Sequence, residues 1–192
     1  LESLMATNSF VSNENIGRYI HFDGMADYCS FLCECADANF RGLKVALDCS
    51  NGATCKSAKT VFEKLGAKVF AFFNNDDGKD INCGCGSTNP HELSKKVVQL
   101  GCNVGFCFDG DGDRVVAIDE NGVVADGDKI LYILAKDMLA KGQLKDNGVV
   151  GTFHTNVGIE NELNKLGITL FRSDVGDKYV SNLMRAKGLL LG

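Results

Sequence analysis

Hydrophobic and polar positions follow two different periods along the chain, and their succession predicts a regular series of strands and helices. Short apolar runs of about four to eight residues, bounded by Gly, Asn or Asp, are typical of buried strands, whereas apolar positions three or four residues apart indicate helices. We predict strands over 43–48, 67–73, 103–108, 114–119, 123–125, 148–153 and 168–172. We predict helices over 16–38, 54–65, 90–100, 129–141, 157–166 and 176–187.

Strands that alternate with helices at this spacing build α/β layers, in which a mostly parallel sheet is flanked by helices. One connection differs, because Asn121-Gly122 lies between two short strand-like runs and is a strong signal for a tight antiparallel hairpin. The regular alternation of strands and helices is interrupted near 120–127. We therefore predict two consecutive α/β domains with mixed, mostly parallel sheets, the first over residues 1–125 and the second, truncated, over residues 126–192.

Composition narrows the class of protein. The 192 residues are 45% apolar and 23% charged, which is the balance of an ordinary globular protein with a real core. No apolar run approaches the roughly 18 residues of a membrane span, so no membrane partner is expected. Twenty Lys and Arg against 25 Asp and Glu give a net charge of −5 without a basic block, which disfavours nucleic acid as a partner. Because no Met begins the chain and an apolar run ends it, we expect an internal fragment of a longer protein.

The nine cysteines are odd in number and scattered, and several lie within apolar segments. This usage favours buried thiols in a reducing, cytoplasmic compartment over a disulfide framework. The pairs Cys33-x-Cys35 and Cys83-x-Cys85 suggest zinc, but zinc ligands are usually separated by about two to four residues and no His pair follows. We therefore do not expect a structural zinc site.

One segment, Phe108-Asp-Gly-Asp-Gly-Asp-Arg114, is hard to explain by folding alone. Its three carboxylates repel one another, and its two glycines lose backbone entropy without adding packing. A hard divalent cation compensates the repulsion, because Mg²⁺ prefers oxygen ligands at about 2.0–2.1 Å and glycine lets a short loop curl its carboxylates inward. The carboxyl end of an apolar strand is also where open α/β sheets bind ligands. The segment therefore favours a metal loop over a solvated acidic turn.

Two other interpretations of this loop assign roles to only some of its residues. An EF-hand fits the spacing of Asp109, Asp111, Asp113 and Glu120, but Arg114 stands where a glycine is required, and strands flank the loop, so we exclude it. A phosphatase-like site would use Asp109 as nucleophile and Asp111 as acid and base. That reading leaves Asp113 and Arg114 without roles.

The whole segment resembles the metal loop of the alpha-D-phosphohexomutases, and the surrounding sequence is similar to the bacterial phosphoglucosamine mutase branch of that superfamily. The resemblance covers nearly the whole chain and implies that residues 1–125 are mainly the second family domain and residues 126–192 the first part of the third. The similar blocks are Asp48-Cys-Ser-Asn-Gly-Ala53, Cys85-Gly-Ser-Thr88, Val124-Ala-Asp-Gly-Asp128, Gly148-Val-Val-Gly-Thr152 and Val175-Gly-Asp-Lys-Tyr-Val180.

The resemblance implies an enzyme that isomerises a phosphosugar by intramolecular phosphotransfer, through a phosphoserine and a bisphosphorylated intermediate. It implies that Asp109, Asp111 and Asp113 hold Mg²⁺. The branch interconverts glucosamine 6-phosphate and glucosamine 1-phosphate for amino-sugar and peptidoglycan precursor synthesis, and a cytoplasmic homodimer is expected for the full-length enzyme. Two alternatives stay open: a phosphomannomutase or phosphoglucomutase of the same superfamily, and a non-catalytic metal-binding module.

Three further residues are candidates for the site. Arg114 is expected to aim its guanidinium at the phosphoryl group, since bidentate geometry favours Arg over Lys; the alternative is an ion pair that only balances the acidic loop. The resemblance implies that Asp177 and Lys178 lie in a loop that faces the sugar. The alternative for Asp177 is an acid in the first helical turn, favoured there by the helix dipole.

The chain also departs from the family pattern. It contains no phosphoserine loop, and it stops at Gly192, where the family continues into its Glu-x-Ser-Gly-His sugar loop. The last, phosphate-binding family domain is also outside the sequence, so we expect the fragment alone to be inactive. Within the covered part, Thr155 stands where the family usually has Ser, a change that keeps the hydroxyl.

Overall fold

The computed structural model describes residues 3, 6–7, 17–36 and 38–192, and it confirms the α/β succession of strands and helices. Element ends differ from the predicted ones by one to a few residues in most cases. The helices are α1 (Met25–Cys35), α2 (Ala58–Lys64), α3 (His91–Leu100), α4 (Gly127–Ala140), α5 (Val157–Lys165) and α6 (Asp177–Lys187). The strands are β1 (Lys44–Asp48), β2 (Lys68–Phe72), β3 (Val104–Phe108), β4 (Val115–Asp119), β5 (Val124–Ala125), β6 (Gly148–Thr152) and β7 (Thr169–Ser173).

The first helix is the largest departure from the prediction. The apolar spacing predicts one helix over 16–38, but the helix begins at Met25, with Gly24 as its N-cap residue. Glycine disfavours a helix interior, and among the described residues the apolar side chains before it, such as Tyr19 with 88% exposure, gain no burial that would stabilise a longer helix. Positions 16 and 37 of that prediction lie outside the described residues.

The first sheet has five strands in the order β2-β1-β3-β4-β5. Strand β1 is an interior strand, parallel to both of its neighbours, whereas β4 runs antiparallel to β3 and β5 antiparallel to β4. Alternate residues of β1 enter two different core layers: Val45 and Leu47 pack in one cluster with Ala58 of α2, and Ala46 packs in another with Leu93 of α3. Burial on both faces is typical of parallel strands between helical layers.

The second sheet consists of β6 and β7, which pair in parallel. Its core cluster joins Val149 of β6 and Leu170 of β7 to Ala135 of α4 and Leu163 of α5. Strand β5 ends at Ala125 and helix α4 begins two residues later, but the division of the chain into domains 1–125 and 126–192 stays a prediction. Among the described residues, every helix is too short or too polar to cross a lipid bilayer.

Candidate functional site

The acidic loop, residues 109–114, connects the antiparallel strands β3 and β4. Asp109 is buried, with 1% exposure, while Asp111 and Asp113 face solvent. One carboxylate oxygen from each of the three lies within 4.8 Å of the others. Oxygens that share an octahedral Mg²⁺ at about 2.1 Å lie roughly 3–4 Å apart, so small side-chain movements suffice to form such a site. The donor set and its spacing therefore fit a hard divalent cation.

Arg114 holds the buried carboxylate in place. Asp109 Oδ1 accepts a hydrogen bond from the Arg114 backbone N–H at 3.0 Å, and Asp109 Oδ2 accepts one from Arg114 Nε at 2.7 Å. The same Nε lies 3.4 Å from Asp113 Oδ1. The structure therefore brings Arg114 to the carboxylates as an ion pair that balances the loop, and its contact with a phosphoryl group stays a prediction.

The carboxylates of this loop influence one another's protonation. Burial by itself raises the pKa of Asp109, but the hydrogen bonds and the charge of Arg114 outweigh burial and hold that pKa below its ordinary value. The pKa of Asp113 is raised by its hydrogen bond with Asp109, by partial loss of hydration and by the charge of Asp111. Crowded carboxylates of this kind favour a cation, because a positive charge relieves their mutual repulsion.

The acidic loop rests on two other segments of the first sheet. The Ala53 N–H, in the loop after β1, donates to the Gly110 carbonyl at 2.9 Å. The Ser87 N–H, in the long loop before α3, donates to the Phe108 carbonyl at 2.9 Å. Asp48, at the end of β1, is fully buried and touches both supporting segments. Sequence reasoning did not single out Asp48, although a carboxylate at the end of an otherwise apolar strand is the signal that could have found it.

Asp177 and Lys178 lie in the first turn of α6, directly after the turn that follows β7, and both are exposed. The Lys178 backbone N–H donates to Asp177 Oδ1 at 2.7 Å. In the part of the chain that the structure describes, neither side chain forms an ion pair with the acidic loop. The position of Asp177 agrees with a first-turn acid, and a contact of either residue with sugar stays a prediction.

A second loop, residues 152–156, begins at the last residue of β6 and is organised by Arg172 of β7. Arg172 Nη1 donates to the carbonyls of Thr152 and Thr155 at 3.0 Å each, and Nη2 pairs with Glu160 of α5. Thr155 Oγ1 accepts from the Thr152 N–H at 3.0 Å, so the hydroxyl expected at this position is used within the loop. Sequence reasoning missed Arg172, because its partners are distant along the chain.

Residues 23–122 match the family described as phosphoglucomutase/phosphomannomutase, alpha/beta/alpha domain II, and residues 126–192 match domain III of the same family. The chain belongs to the phosphoglucomutase/phosphomannomutase family. The acidic loop lies within the domain II match, and Asp177 and Lys178 lie within the domain III match.

Curated relatives in this family carry a more specific name. The phosphoglucosamine mutase of Clostridium novyi (strain NT) is 43% identical over 182 residues, which are 94% of this chain and 40% of the relative. The phosphoglucosamine mutase of Acetivibrio thermocellus is 40% identical over 197 residues, covering 100% of this chain and 44% of the relative. The chain thus spans about two fifths of the length of the relatives it matches.

Solved structures of phosphohexomutases share the fold. A phosphoglucomutase/phosphomannomutase family protein from Burkholderia thailandensis superposes with a TM-score of 0.80 at 22% identity, covering 98% of this chain and 41% of that one. An N-acetylglucosamine-phosphate mutase in a substrate complex superposes with a TM-score of 0.60 at 17% identity, covering 86% of this chain and 34% of that one. At these identities the likeness concerns the fold.

Proposed function

We propose that this chain is part of a phosphoglucosamine mutase, an intramolecular phosphotransferase that interconverts glucosamine 6-phosphate and glucosamine 1-phosphate. The observation that carries the proposal is the convergence of Asp109, Asp111 and Asp113, with ligand oxygens within 4.8 Å of one another, at the carboxyl end of a core strand. The phosphoglucosamine mutases at 40–43% identity support this substrate over glucose or mannose phosphates.

In this proposal the three carboxylates hold Mg²⁺, which when bound neutralises charge on the phosphoryl oxygens. Asp109 is already oriented, because Arg114 occupies one lone pair on each of its oxygens and leaves others for a ligand. The Arg114 side chain is 66% exposed and bound to the loop through Nε, so the rest of its guanidinium is accessible to a phosphoryl oxygen. Arg114 thus orients a ligand and carries positive charge toward the substrate.

Family membership supports the remaining parts of the proposal. We assign Asp177 and Lys178 to substrate binding, and we place the catalytic serine and the sugar loop outside this chain. The proposed enzyme acts on a phosphosugar in the cytoplasm, has neither nucleic acid nor membrane as a partner, and forms a homodimer. The 192-residue chain alone is expected to be inactive.

The metal site is tested by Asp111→Ala in the full-length protein. Asp111 is exposed, so its loss should leave the fold intact. We expect mutase activity to fall by more than about 100-fold, because removal of mere outer partners of metal ligands already costs about 10–100-fold. Asp137→Ala, which removes an exposed carboxylate on α4, serves as the control. Activity near the wild-type level in a folded Asp111→Ala protein would refute the site.

The substrate is tested separately, by one coupled assay that compares glucosamine, glucose and mannose 6-phosphates at equal concentration with the full-length protein. We expect glucosamine 6-phosphate to give the largest kcat/KM. A preference for mannose or glucose 6-phosphate would replace this substrate by that of a phosphomannomutase or phosphoglucomutase, while leaving the metal site untouched.

A further inference from the structure

The buried carboxylate of Asp48 joins two segments that are far apart in sequence. Its side chain is fully buried at the end of β1. Oδ1 accepts a hydrogen bond from the Ser50 N–H at 2.8 Å, and Oδ2 accepts one from the Gly86 N–H at 2.8 Å. One carboxylate thus fixes the loop after β1 and the long loop before α3 to the same point, since each oxygen holds one of them.

Both fixed segments then hold the acidic loop, one on each side of Asp109. Three residues beyond Ser50, the Ala53 N–H binds the carbonyl of Gly110; one residue beyond Gly86, the Ser87 N–H binds the carbonyl of Phe108. The carbonyl groups of the two residues on either side of Asp109 are therefore set by backbone donors whose own positions depend on Asp48.

The contact between these segments leaves no room for an additional atom. A Cβ on Gly52 would lie 2.3 Å from the Gly110 carbonyl oxygen, and a Cβ on Gly86 would lie 2.7 Å from the Phe108 carbonyl oxygen. Gly52 has φ −111°, a conformation open to any residue, so the close approach to the acidic loop is the reason for glycine at this position.

We propose that Asp48 is a positioning residue for the metal loop: it clamps the two supporting segments, and through them it sets the direction in which Asp109 presents its carboxylate. This inference rests on the proposed metal site. Asp119 shows the contrast, because among the described residues its carboxylate binds the Asn121 and Val123 N–H groups of its own hairpin and no other loop.

The experiment measures the dissociation constant of Mn²⁺, by electron paramagnetic resonance, for the full-length protein and four variants. Asp48→Asn keeps the shape of the side chain but turns an N–H group toward one of the two donors, so it loses half of the clamp. Gly52→Ala disturbs the same support sterically. Asp119→Asn removes an equal charge at another loop, and Gly127→Ala adds a methyl group that would contact no other part of the described chain within 4 Å.

We expect Asp48→Asn and Gly52→Ala to raise the Mn²⁺ dissociation constant by about tenfold or more. The two controls, Asp119→Asn and Gly127→Ala, should keep the thermal unfolding midpoint of the wild type and a Mn²⁺ dissociation constant within about twofold of it. Wild-type affinity in a folded Asp48→Asn or Gly52→Ala protein would overturn the proposal. If Asp48→Asn fails to fold, Gly52→Ala decides.

Hydrogen exchange separates this proposal from the proposed function. Wild-type protein that binds no Mn²⁺ would contradict the metal site, and the amides of Ala53 and Ser87 then decide the role of Asp48. Selective loss of their protection in Asp48→Asn, or in Gly52→Ala if the former does not fold, supports the positioning role. Protection equal to wild type overturns it.

Discussion

Two loops at the carboxyl ends of core strands are held in different ways. The acidic loop after β3 is supported by backbone groups of neighbouring loops at distances that only glycine permits. The loop at the end of β6, residues 152–156, has a backbone bond, from the Phe153 N–H to the Ser173 carbonyl, and adds a long side chain, Arg172, whose guanidinium binds two of its carbonyls and Glu160. Backbone groups hold a loop in a fixed geometry that tolerates no added atom. A side chain such as that of Arg172 holds a loop through its charge and its several hydrogen-bond donors.

The largest effect should come from an added methyl group under the acidic loop. Gly86 and Gly78 have nearly the same backbone conformation, with φ values of 78° and 76°, but a Cβ meets the Phe108 carbonyl oxygen only at Gly86. Left-handed strain costs both alanine variants about 1 kcal/mol. Overpacking should cost Gly86→Ala roughly 2 kcal/mol more, measured by urea unfolding. Equal destabilisation of the two variants would show that the support is not close-packed.

The second loop should respond to loss of the guanidinium. Arg172→Ala removes the donors of two carbonyls and leaves Glu160 partly buried without its partner, so we expect a loss of about 2 kcal/mol in unfolding free energy. Lys165→Ala breaks an exposed pair with Glu162 in the same helix and should cost less than about 0.5 kcal/mol. If the two variants are equally stable, the loop does not depend on Arg172.

The smallest effect is the loss of stability that buried cysteines cause at alkaline pH. It concerns the region before the acidic loop, because all nine cysteines precede residue 108. Burial raises the pKa of Cys49 and of Cys107 from 9.0 to about 12 each. Above pH 9 the unfolded chain releases these protons while the folded chain keeps them, so stability present below pH 9 is lost as the pH rises toward 12.

Each of these thiols should contribute a slope of at most about 1.4 kcal/mol per pH unit in that window. The check is urea unfolding at pH 8.5 and 10, with Cys49→Ala as the control that should reduce the slope. A slope unchanged in Cys49→Ala would mean that this thiol does not titrate on unfolding.

Local signals explain what the sequence could predict. Periodicity located the strands, because burial imposes their pattern directly, and the acidic loop stood out because adjacent like charges need a compensating ligand. Apolar spacing predicted too long a helix at 16–38, because Gly24 precedes its first turn and the described apolar side chains before Gly24 are exposed. The roles of Asp48 and Arg172 depend on which loops the sheet brings together, with hydrogen-bond partners up to 38 residues away, and no local pattern contains that information.

The acidic loop connects two strands that are paired with each other along five residues, and β3 is also paired with the interior strand β1. Both of its ends are therefore anchored in the cooperative core. Folding places the backbone of the loop before a cation arrives, and only small movements of the carboxylate side chains remain. A ligand consequently encounters a preorganised backbone, and little backbone entropy remains to be lost on binding.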